Sequence, residues 1–309
     1  MSLIIVDQFS KTSPKLRSHF EKITKDDHSP DRFVWDFWNK PGRYVHLRTP
    51  AVRFFPEPLF KKIESELLAF GEEHLGCRSL SPLWLSCYIN GCEQRWHADR
   101  PHGPWAFVLS LSPEDIQFSG GETMLLKPAV LNFWNSVSQL GNQSFEENDV
   151  VERVTPTFNR LTVFDPRIPH GVSPVQGTMN PLEGRLVLHG WFTQPRPHYK
   201  GTIATEKIET ALAQFDEHLG DDLSQKMNEG IFSSSGTAAY RIVIAPTGKV
   251  SKVIALAHSL ASAEPEGAYR DHRFLTTLVT DHFRAHSFPK AKTGSSLTLP
   301  LTIVGATED

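Results

Sequence analysis

The chain has 309 residues, about twice a common domain length, so its length favours two domains. Hydrophobic residues make up 39% and charged residues 22%, enough apolar material for folded cores and too little net charge for a disordered chain. Basic and acidic residues number 22 and 22 up to residue 200, and 10 and 13 beyond it. Neither part has the basic excess that binding to nucleic acid or to an anionic membrane requires.

The cysteines and the hydrophobic runs indicate the cellular compartment in which the protein is expected. Cys77, Cys87 and Cys92 are an odd number in a long chain, and the opening run MSLIIVDQFSKTSPK is too short in apolar residues for a signal peptide. No segment approaches the roughly eighteen apolar residues of a membrane span. We therefore expect a cytoplasmic protein with free thiols, whose partners include neither nucleic acid nor a membrane.

The first predicted elements are helices, and strands follow them. Residues 13–25 and 57–75 place apolar side chains at helical spacing, so each is predicted to be an amphipathic helix. Residues 83–193 instead contain eight short apolar or alternating runs separated by Gly, Pro and Asn. The runs are LWLSCYI, WAFVLSLS, ETMLL, AVLNFW, DVVERV, RLTVFD, GVSPV and RLVLHGWF. So many short strands indicate a barrel or a double-sheet jelly roll.

A proline-rich segment, QPRPHYKG at 194–201, follows the last of these runs and is predicted to be a linker. Beyond it the pattern alternates between helices and strands. The predicted elements are a helix at 204–229, strands at 240–245 and 249–256, a helix at 270–286 and a strand at 296–304. We therefore expect a larger domain over 1–200 and a small α+β domain over 201–309.

A histidine and a carboxylate stand two positions apart at the end of a strand pattern. The run that starts at Tyr88 ends with His97 and Asp99, and His170 follows a later strand rich in β-branched residues. Two imidazoles and one carboxylate can occupy one face of an octahedral metal and leave three positions open, a ligand set typical of non-haem Fe(II) oxygenases. Arg185, at the start of the last predicted strand of this region, can hold the distant carboxylate of a keto acid by a bidentate pair.

The His-x-Asp pattern alone is weak, because a chain with 14 histidines contains it by chance fairly often. The ordered set of features is far less frequent by chance than the single pattern. His-x-Asp, then Gly-Gly, then a Pro-His-Gly turn, then an arginine opening a strand all fall within one β-rich region. The combination favours a metal site over isolated structural histidines.

Residues 80–193 resemble the Fe(II)- and 2-oxoglutarate-dependent dioxygenases, and among them the prolyl-hydroxylase-like branch. The matching features are Tyr88, Gly91, His97, Asp99, SGGET at 119–123, the PHGV turn with His170, and Arg185 in RLVLHGWF. The resemblance implies a double-stranded β-helix (jelly-roll) core with the N-terminal helices against one sheet. It also implies that His97, Asp99 and His170 bind iron and that Arg185 holds the 2-oxoglutarate C5 carboxylate. Tyr88 and Ser110 would hydrogen-bond the co-substrate.

The same resemblance implies a reaction. Fe(II), 2-oxoglutarate and O2 would be used to hydroxylate an unactivated carbon of an amino acid, free or within a peptide or protein, with release of succinate and CO2. Desaturation and ring closure use the same ligands, so these outcomes stay open. The nucleic-acid demethylase branch has a second arginine where this chain has Trp191, which agrees with the absence of a basic excess. A different class of function is a non-catalytic binding module that retains the metal site.

Charged residues flank the expected ligands. Arg95, Arg100, His102 and Arg167 can ring the mouth of a pocket and receive a substrate carboxylate or an acidic peptide. The alternative is that they are solvated loop charges.

The C-terminal part has its own resemblance, to the small C-terminal module of TonB-type energy transducers. Residues 238–304 carry its order of strand, turn, strand, helix and strand, with Gly248, Phe288 and Pro289 as landmarks. The resemblance implies the fold and a protein-contact role, through which the domain would hold a protein partner or a second copy of the chain. A domain that only stabilises the catalytic part is the alternative.

Overall fold

The computed structural model describes residues 3–99, 102–127, 146–262, 264 and 267–304. The chain folds into two compact units. One is formed by Leu3–Ala69 and Ser79–Thr193, and the other by Phe70–Arg78 together with the chain from Gln194 onward. We call them the β-unit and the C-terminal unit.

The β-unit is a curled antiparallel sheet of the jelly-roll type, as the sequence predicted. Its strands pair in the order β1-β10-β7-β12-β5-β3-β6-β11-β8-β9, and β2 adds to β3 as a hairpin. The strands up to the end of this region are β1 Leu3–Val6, β2 Asp36–Lys40, β3 Tyr44–Pro50, β4 Cys77–Leu80, β5 Trp84–Tyr88, β6 Glu93–His97, β7 Trp105–Ser110, β8 Thr123–Leu126, β9 Val151–Val154, β10 Leu161–Phe164, β11 His170–Val172 and β12 Arg185–Pro195.

Helices lie between the strands of the β-unit. They are α1 Ser13–Lys25, α2 Ala51–Phe54, α3 Glu57–Phe70 and the single turn α4 Glu147–Val150, with a 3-10 turn at Pro30–Phe33. A π-helical turn at Gly71–Leu75 continues α3 and belongs to the C-terminal unit. In α3 the residues Phe60, Ile63 and Leu67 are buried, the spacing of one helical face. Both predicted N-terminal helices are therefore confirmed.

Seven of the eight predicted strand runs coincide with strands. The remaining run, AVLNFW at 129–134, lies outside the described residues. The sequence patterns missed β1, the β2–β3 hairpin and β4, and β6 is not among the eight runs. The three cysteines are buried free thiols, as expected.

The C-terminal unit is a four-stranded antiparallel sheet with two helices. Its elements are β13 His198–Lys200, α5 Thr205–Asn228, β14 Gly236–Ile244, β15 Val250–His258, α6 Gly267–Ala285 and β16 Ser295–Ile303, with strand order β13-β16-β14-β15. The apolar side of α5, which includes Phe215 and Leu219, shares one core cluster with Tyr240 and Leu275. The segment 194–201 predicted as a linker is in part strand, because His198–Lys200 pairs with β16.

Among the described residues, no helix combines the length and the apolar character needed to cross a bilayer.

Candidate metal and co-substrate site

Strand pairing brings the two histidines together. His97, the last residue of β6, lies directly opposite His170, the first residue of β11, and a register shift separates this pair from Gln94–Val172. Asp99 lies two residues beyond the end of β6, where its backbone N–H donates to the Pro166 carbonyl at 2.8 Å. A register shift such as the one between β6 and β11 changes the direction of the side chains beside it. Pairing over 73 residues of sequence thus assembles what the sequence pattern only suggested.

The three side chains form a candidate metal-binding cluster. One donor atom from each of His97, Asp99 and His170 lies within 4.8 Å of the others. The Asp99 carboxylate oxygens stand 3.8 Å from His97 Nε2 and 3.5 Å from His170 Nε2. Two imidazole nitrogens and one carboxylate on one side of a point are the donor set of a facial-triad iron site, so these residues fit Fe(II).

Backbone carbonyls orient both imidazoles. His97 Nδ1 lies 2.8 Å from the Arg95 carbonyl, and His170 Nδ1 lies 2.9 Å from the Ile168 carbonyl. Since a carbonyl only accepts, each Nδ1 carries the proton and each Nε2 keeps its lone pair. The Gln94 amide stands 3.1 Å from His97 Nε2 and donates to that lone pair. A metal would therefore replace the Gln94 hydrogen bond.

The protonation states also suit a cation. Burial alone would raise the pKa of Asp99, but its contact with His170 and the other nearby imidazoles hold that pKa below its usual value. Burial, and then the neighbouring His170, lower the pKa of His97. Near neutral pH the carboxylate is ionised and the His97 imidazole is neutral, which are the forms that bind a divalent metal.

Arg185 is a buried cation with spare donors. It opens β12 and is 1% exposed, and it pairs in register with Tyr88 of β5. Its Nη2 donates to Thr123 Oγ1 at 3.2 Å, while Nε and Nη1 have no hydrogen-bond partner among the described residues. Buried donors without partners are costly, so this arginine fits the distal carboxylate of a keto acid.

The two expected hydrogen-bonding residues differ in position. Tyr88 lies against Arg185, whose guanidinium carbon is 4.7 Å from the ring centroid, and its hydroxyl donates to Gln94 Oε1 at 3.4 Å. Ser110 is 3% exposed, and its hydroxyl donates to the Pro156 carbonyl at 2.8 Å. Tyr88 lines the main cavity of the β-unit, and Ser110 is not among its described lining residues.

This cavity, of about 890 Å³, is the site cavity from here on. It is lined by all three members of the cluster and by Arg185. It is also lined by Trp38, His46, Arg48 and His189, to which the sequence patterns assigned no role. The lone signal for them was their residue type, since none belongs to a motif.

The charged residues that flank the expected ligands in sequence do not all line the site cavity. Arg95 and His102 line the site cavity, but Arg95 is exposed and pairs with Glu93 at 2.9 Å. Arg167 pairs with Asp165 at 2.8 Å. Arg100 lies outside the described residues.

Comparison with known proteins agrees with this geometry. The family model of the 2OG-Fe(II) oxygenase superfamily matches residues 83–193. Comparison with curated proteins finds no match.

Among solved structures, a prolyl-4-hydroxylase from Pseudomonas putida is 18% identical, with a TM-score of 0.43 over 62% of this chain and 92% of that one. A prolyl hydroxylase from Trichoplax adhaerens, in complex with a peptide fragment of the hypoxia inducible factor oxygen degradation domain, is 16% identical, with a TM-score of 0.42 over 62% and 83%. HygX from Streptomyces hygroscopicus, with nickel and 2-oxoglutarate bound, is 13% identical, with a TM-score of 0.39 over 61% and 81%.

The matched segment 83–193 contains the whole His97–Asp99–His170 cluster and Arg185. The family uses Fe(II) with 2-oxoglutarate and O2 as co-substrates, and the donor set of the cluster suits that metal. Residues 83–193 therefore match a 2OG-Fe(II) oxygenase domain, and this match supports a 2-oxoglutarate-dependent oxygenase activity.

Proposed function

We propose that this dioxygenase hydroxylates an unactivated carbon of an amino acid, free or within a peptide or protein. In this proposal His97, Asp99 and His170 hold Fe(II), and Arg185 holds the C5 carboxylate of 2-oxoglutarate. Tyr88 lies against that carboxylate site. The observation that carries the proposal is that the metal cluster and a buried, incompletely paired arginine line one cavity.

When bound, iron and 2-oxoglutarate supply the oxidising power, with succinate and CO2 as the products of the co-substrate. The protein holds and orients these groups. The carbonyls of Arg95 and Ile168 keep both Nε2 lone pairs directed at the metal position. Arg185 keeps its charge fixed on β12, so the co-substrate carboxylate meets donors that are already in place.

One side of the cluster has an apolar wall. Phe164 packs edge-on against His170, with ring centroids 4.8 Å apart, and His170 is 6% exposed. A partly apolar wall strengthens the charge-assisted contacts of the bound co-substrate.

We further propose that residues 1–200 form the catalytic domain and residues 201–309 the small domain. The TonB-like resemblance of residues 238–304 stays a prediction, and so does the contact of this domain with a protein partner or a second copy. The helix-strand-strand-helix-strand order of α5, β14, β15, α6 and β16 supports it as a separate fold.

The test is product analysis. The iron-loaded protein is incubated with 2-oxoglutarate, isotopically labelled O2 and a panel of L-amino acids and peptides. We expect succinate to form, and one oxygen atom from O2 to appear in the product as a hydroxyl group. A desaturated or cyclised product without label would limit the proposal to oxidation. Metal and 2-oxoglutarate binding with no succinate under any condition would instead identify a binding module.

A further inference from the structure

A second arginine faces the site cavity from the β2–β3 hairpin. Arg48 lies on β3, and its guanidinium lies over the rings of Trp38 and Trp84, 3.9 Å from the Trp84 centroid. All three residues line the cavity. Stacking of this kind fixes the plane of a guanidinium and leaves its N–H edge free to bind a planar anion.

Arg48 forms no direct ion pair among the described residues, and its Nε is buried without a hydrogen-bond partner. Asp36, its register partner across the hairpin, attracts it electrostatically from an exposed position. Burial still lowers the pKa of Arg48 to about 10, so it stays charged at neutral pH. The N–H groups of this partly desolvated cation are therefore open to a carboxylate in direct contact.

Arginines also outnumber carboxylates in the lining of the whole cavity. Its described lining residues include four arginines, of which Arg95 pairs with Glu93, and Asp99 is the sole carboxylate among them. Asp99 belongs to the metal cluster, and Arg185 is assigned to 2-oxoglutarate. The two carboxylates of 2-oxoglutarate are thus accounted for, one at Arg185 and one at the metal. Arg48 is left for an anion that is neither cofactor nor co-substrate.

We propose that Arg48, held between Trp38 and Trp84, binds the carboxylate of the substrate, and that this substrate is a free amino acid rather than an internal residue of a peptide or protein. A residue inside a chain has its carboxyl carbon in an uncharged peptide bond, which cannot form the bidentate pair. This inference rests on the proposed function and specifies its substrate class.

The size and lining of the cavity support a small substrate. Its volume of about 890 Å³ is near the upper end of the roughly 300–1,000 Å³ range of small-ligand sites. It therefore has room for 2-oxoglutarate and one more small molecule. The half-buried rings of Trp38 and Trp84 give the bound carboxylate a partly apolar surround, which strengthens a charge-assisted hydrogen bond.

The experiment compares acids with their own amides. The common L-amino acids are tested as free acids, as carboxamides and within blocked peptides, and stimulated succinate formation by the iron-loaded protein is measured. We expect the best free acid to exceed its carboxamide in kcat/KM by about tenfold or more, the effect of losing a charge-assisted pair. In Arg48→Gln this preference should fall to about threefold or less. Arg48→Lys should retain part of it, because the charge stays while the planar fork is lost.

A binding measurement keeps the test independent of turnover and of one variant's folding. Calorimetric titration of the best free acid into the oxygen-free protein should show affinity about tenfold weaker for Arg48→Gln than for wild type. The matched control is Arg153→Gln, which removes an arginine that pairs with Glu147 outside the cavity and should bind as wild type.

The failures are distinguishable. If wild type uses an acid and its carboxamide equally well, or prefers a blocked peptide, the Arg48 assignment is overturned while the dioxygenase proposal stands. If acids bind with an affinity that Arg48→Gln leaves unchanged, the assignment is likewise overturned. Failure to produce succinate with any compound would remove the proposed function itself.

Discussion

Arg185 Nη2 donates to Thr123, and Nε and Nη1 are buried without hydrogen-bond partners, so these two nitrogens can donate to a bound carboxylate. Arg185→Met should raise the 2-oxoglutarate KM about tenfold or more. Because a ligand that binds only the folded state raises stability, 2-oxoglutarate should raise the melting temperature of wild type and not of the variant. Arg160→Gln, which removes a surface pair with Asp7, is the control. Equal thermal shifts in Arg185→Met and wild type would exclude this arginine as the anchor.

The proposed metal ligands give a separate prediction. His97→Ala and Asp99→Ala each remove one of three donors from the cluster, so iron affinity should fall by about a hundredfold or more and 2-oxoglutarate turnover should be lost. Equilibrium dialysis followed by metal analysis measures the first effect directly. His28→Ala, at an exposed position away from the cavity, should bind iron as wild type. Full stoichiometric iron in both cluster variants would show that the ligands lie elsewhere.

His46 makes stability depend on pH. Burial, and then the charges of Arg48 and Arg185, lower the pKa of His46 from 6.5 to about 4. Below pH 6.5 the unfolded chain takes up a proton that the folded protein refuses, so this contribution to stability is complete above pH 6.5 and is lost toward pH 4. The loss from this group is at most about 3 kcal/mol.

Urea unfolding of wild type and His46→Gln at several pH values measures this effect. The unfolding free energy of wild type should decline more steeply between pH 6.5 and pH 4 than that of the variant. Parallel curves for the two proteins over this range would show that His46 titrates normally in the folded state.

At the scale of elements, the cluster depends on how closely β6 and β11 approach. Gly171 follows His170, and a Cβ at this position would stand 2.6 Å from the Gln94 carbonyl oxygen of β6. Gly171→Ala should therefore push the strands apart, move His97 away from His170 and weaken iron binding about tenfold or more. Gly220→Ala is the matched control, because a Cβ there meets nothing within 4 Å and alanine favours a helix. Unchanged iron affinity in Gly171→Ala would mean that the strands absorb the methyl group.

The β2–β3 hairpin shows why strand patterns can be missed. Its inward residues include Trp38, His46 and Arg48, which line the site cavity, while Phe37 points outward and is 62% exposed. The usual alternation of apolar inside and polar outside is thus partly reversed. Strand prediction depends on that alternation, so a hairpin that forms the wall of a polar site escapes it.

At the scale of the whole molecule, the segment Phe70–Arg78 belongs to the C-terminal unit. Within that unit Arg241 and Thr298 both donate to the Glu73 carbonyl, and Gly76 packs so closely on Pro300 that a Cβ would stand 2.7 Å from its ring. A fragment ending at residue 199 would lose these partners and leave buried residues such as Leu75 without cover.

We therefore expect the 1–199 fragment to aggregate or to unfold without cooperativity, and to lose uncoupled 2-oxoglutarate turnover. Size-exclusion chromatography and thermal unfolding, with the full chain as reference, measure this. A monomeric fragment that unfolds cooperatively and keeps full uncoupled turnover would contradict the expectation.

Much of the fold and of the site follows from the sequence. The helices appear as buried residues at helical spacing, and most strands appear as short runs that are buried on at least one side, because local patterns report which face of an element is covered. His97, Asp99, His170 and Arg185 stand out because the metal and keto-acid chemistry needs their residue types in a fixed order along the strands. These features are local, or follow one another in a fixed order along the chain, so they can be predicted from a single sequence.

The tertiary structure decided the rest. Arg48, His46 and Trp38 become cavity residues only because β2 and β3 join the sheet beside β5, and the chain carries no motif that marks them. Ser110 is expected to hydrogen-bond the co-substrate, and that stays a prediction: its hydroxyl donates to the Pro156 carbonyl, 46 residues away in sequence, and it lines a small pocket that Arg185 also lines. Such contacts depend on which strands become neighbours. That choice comes from long-range packing over the whole sheet, which no local pattern of residues records.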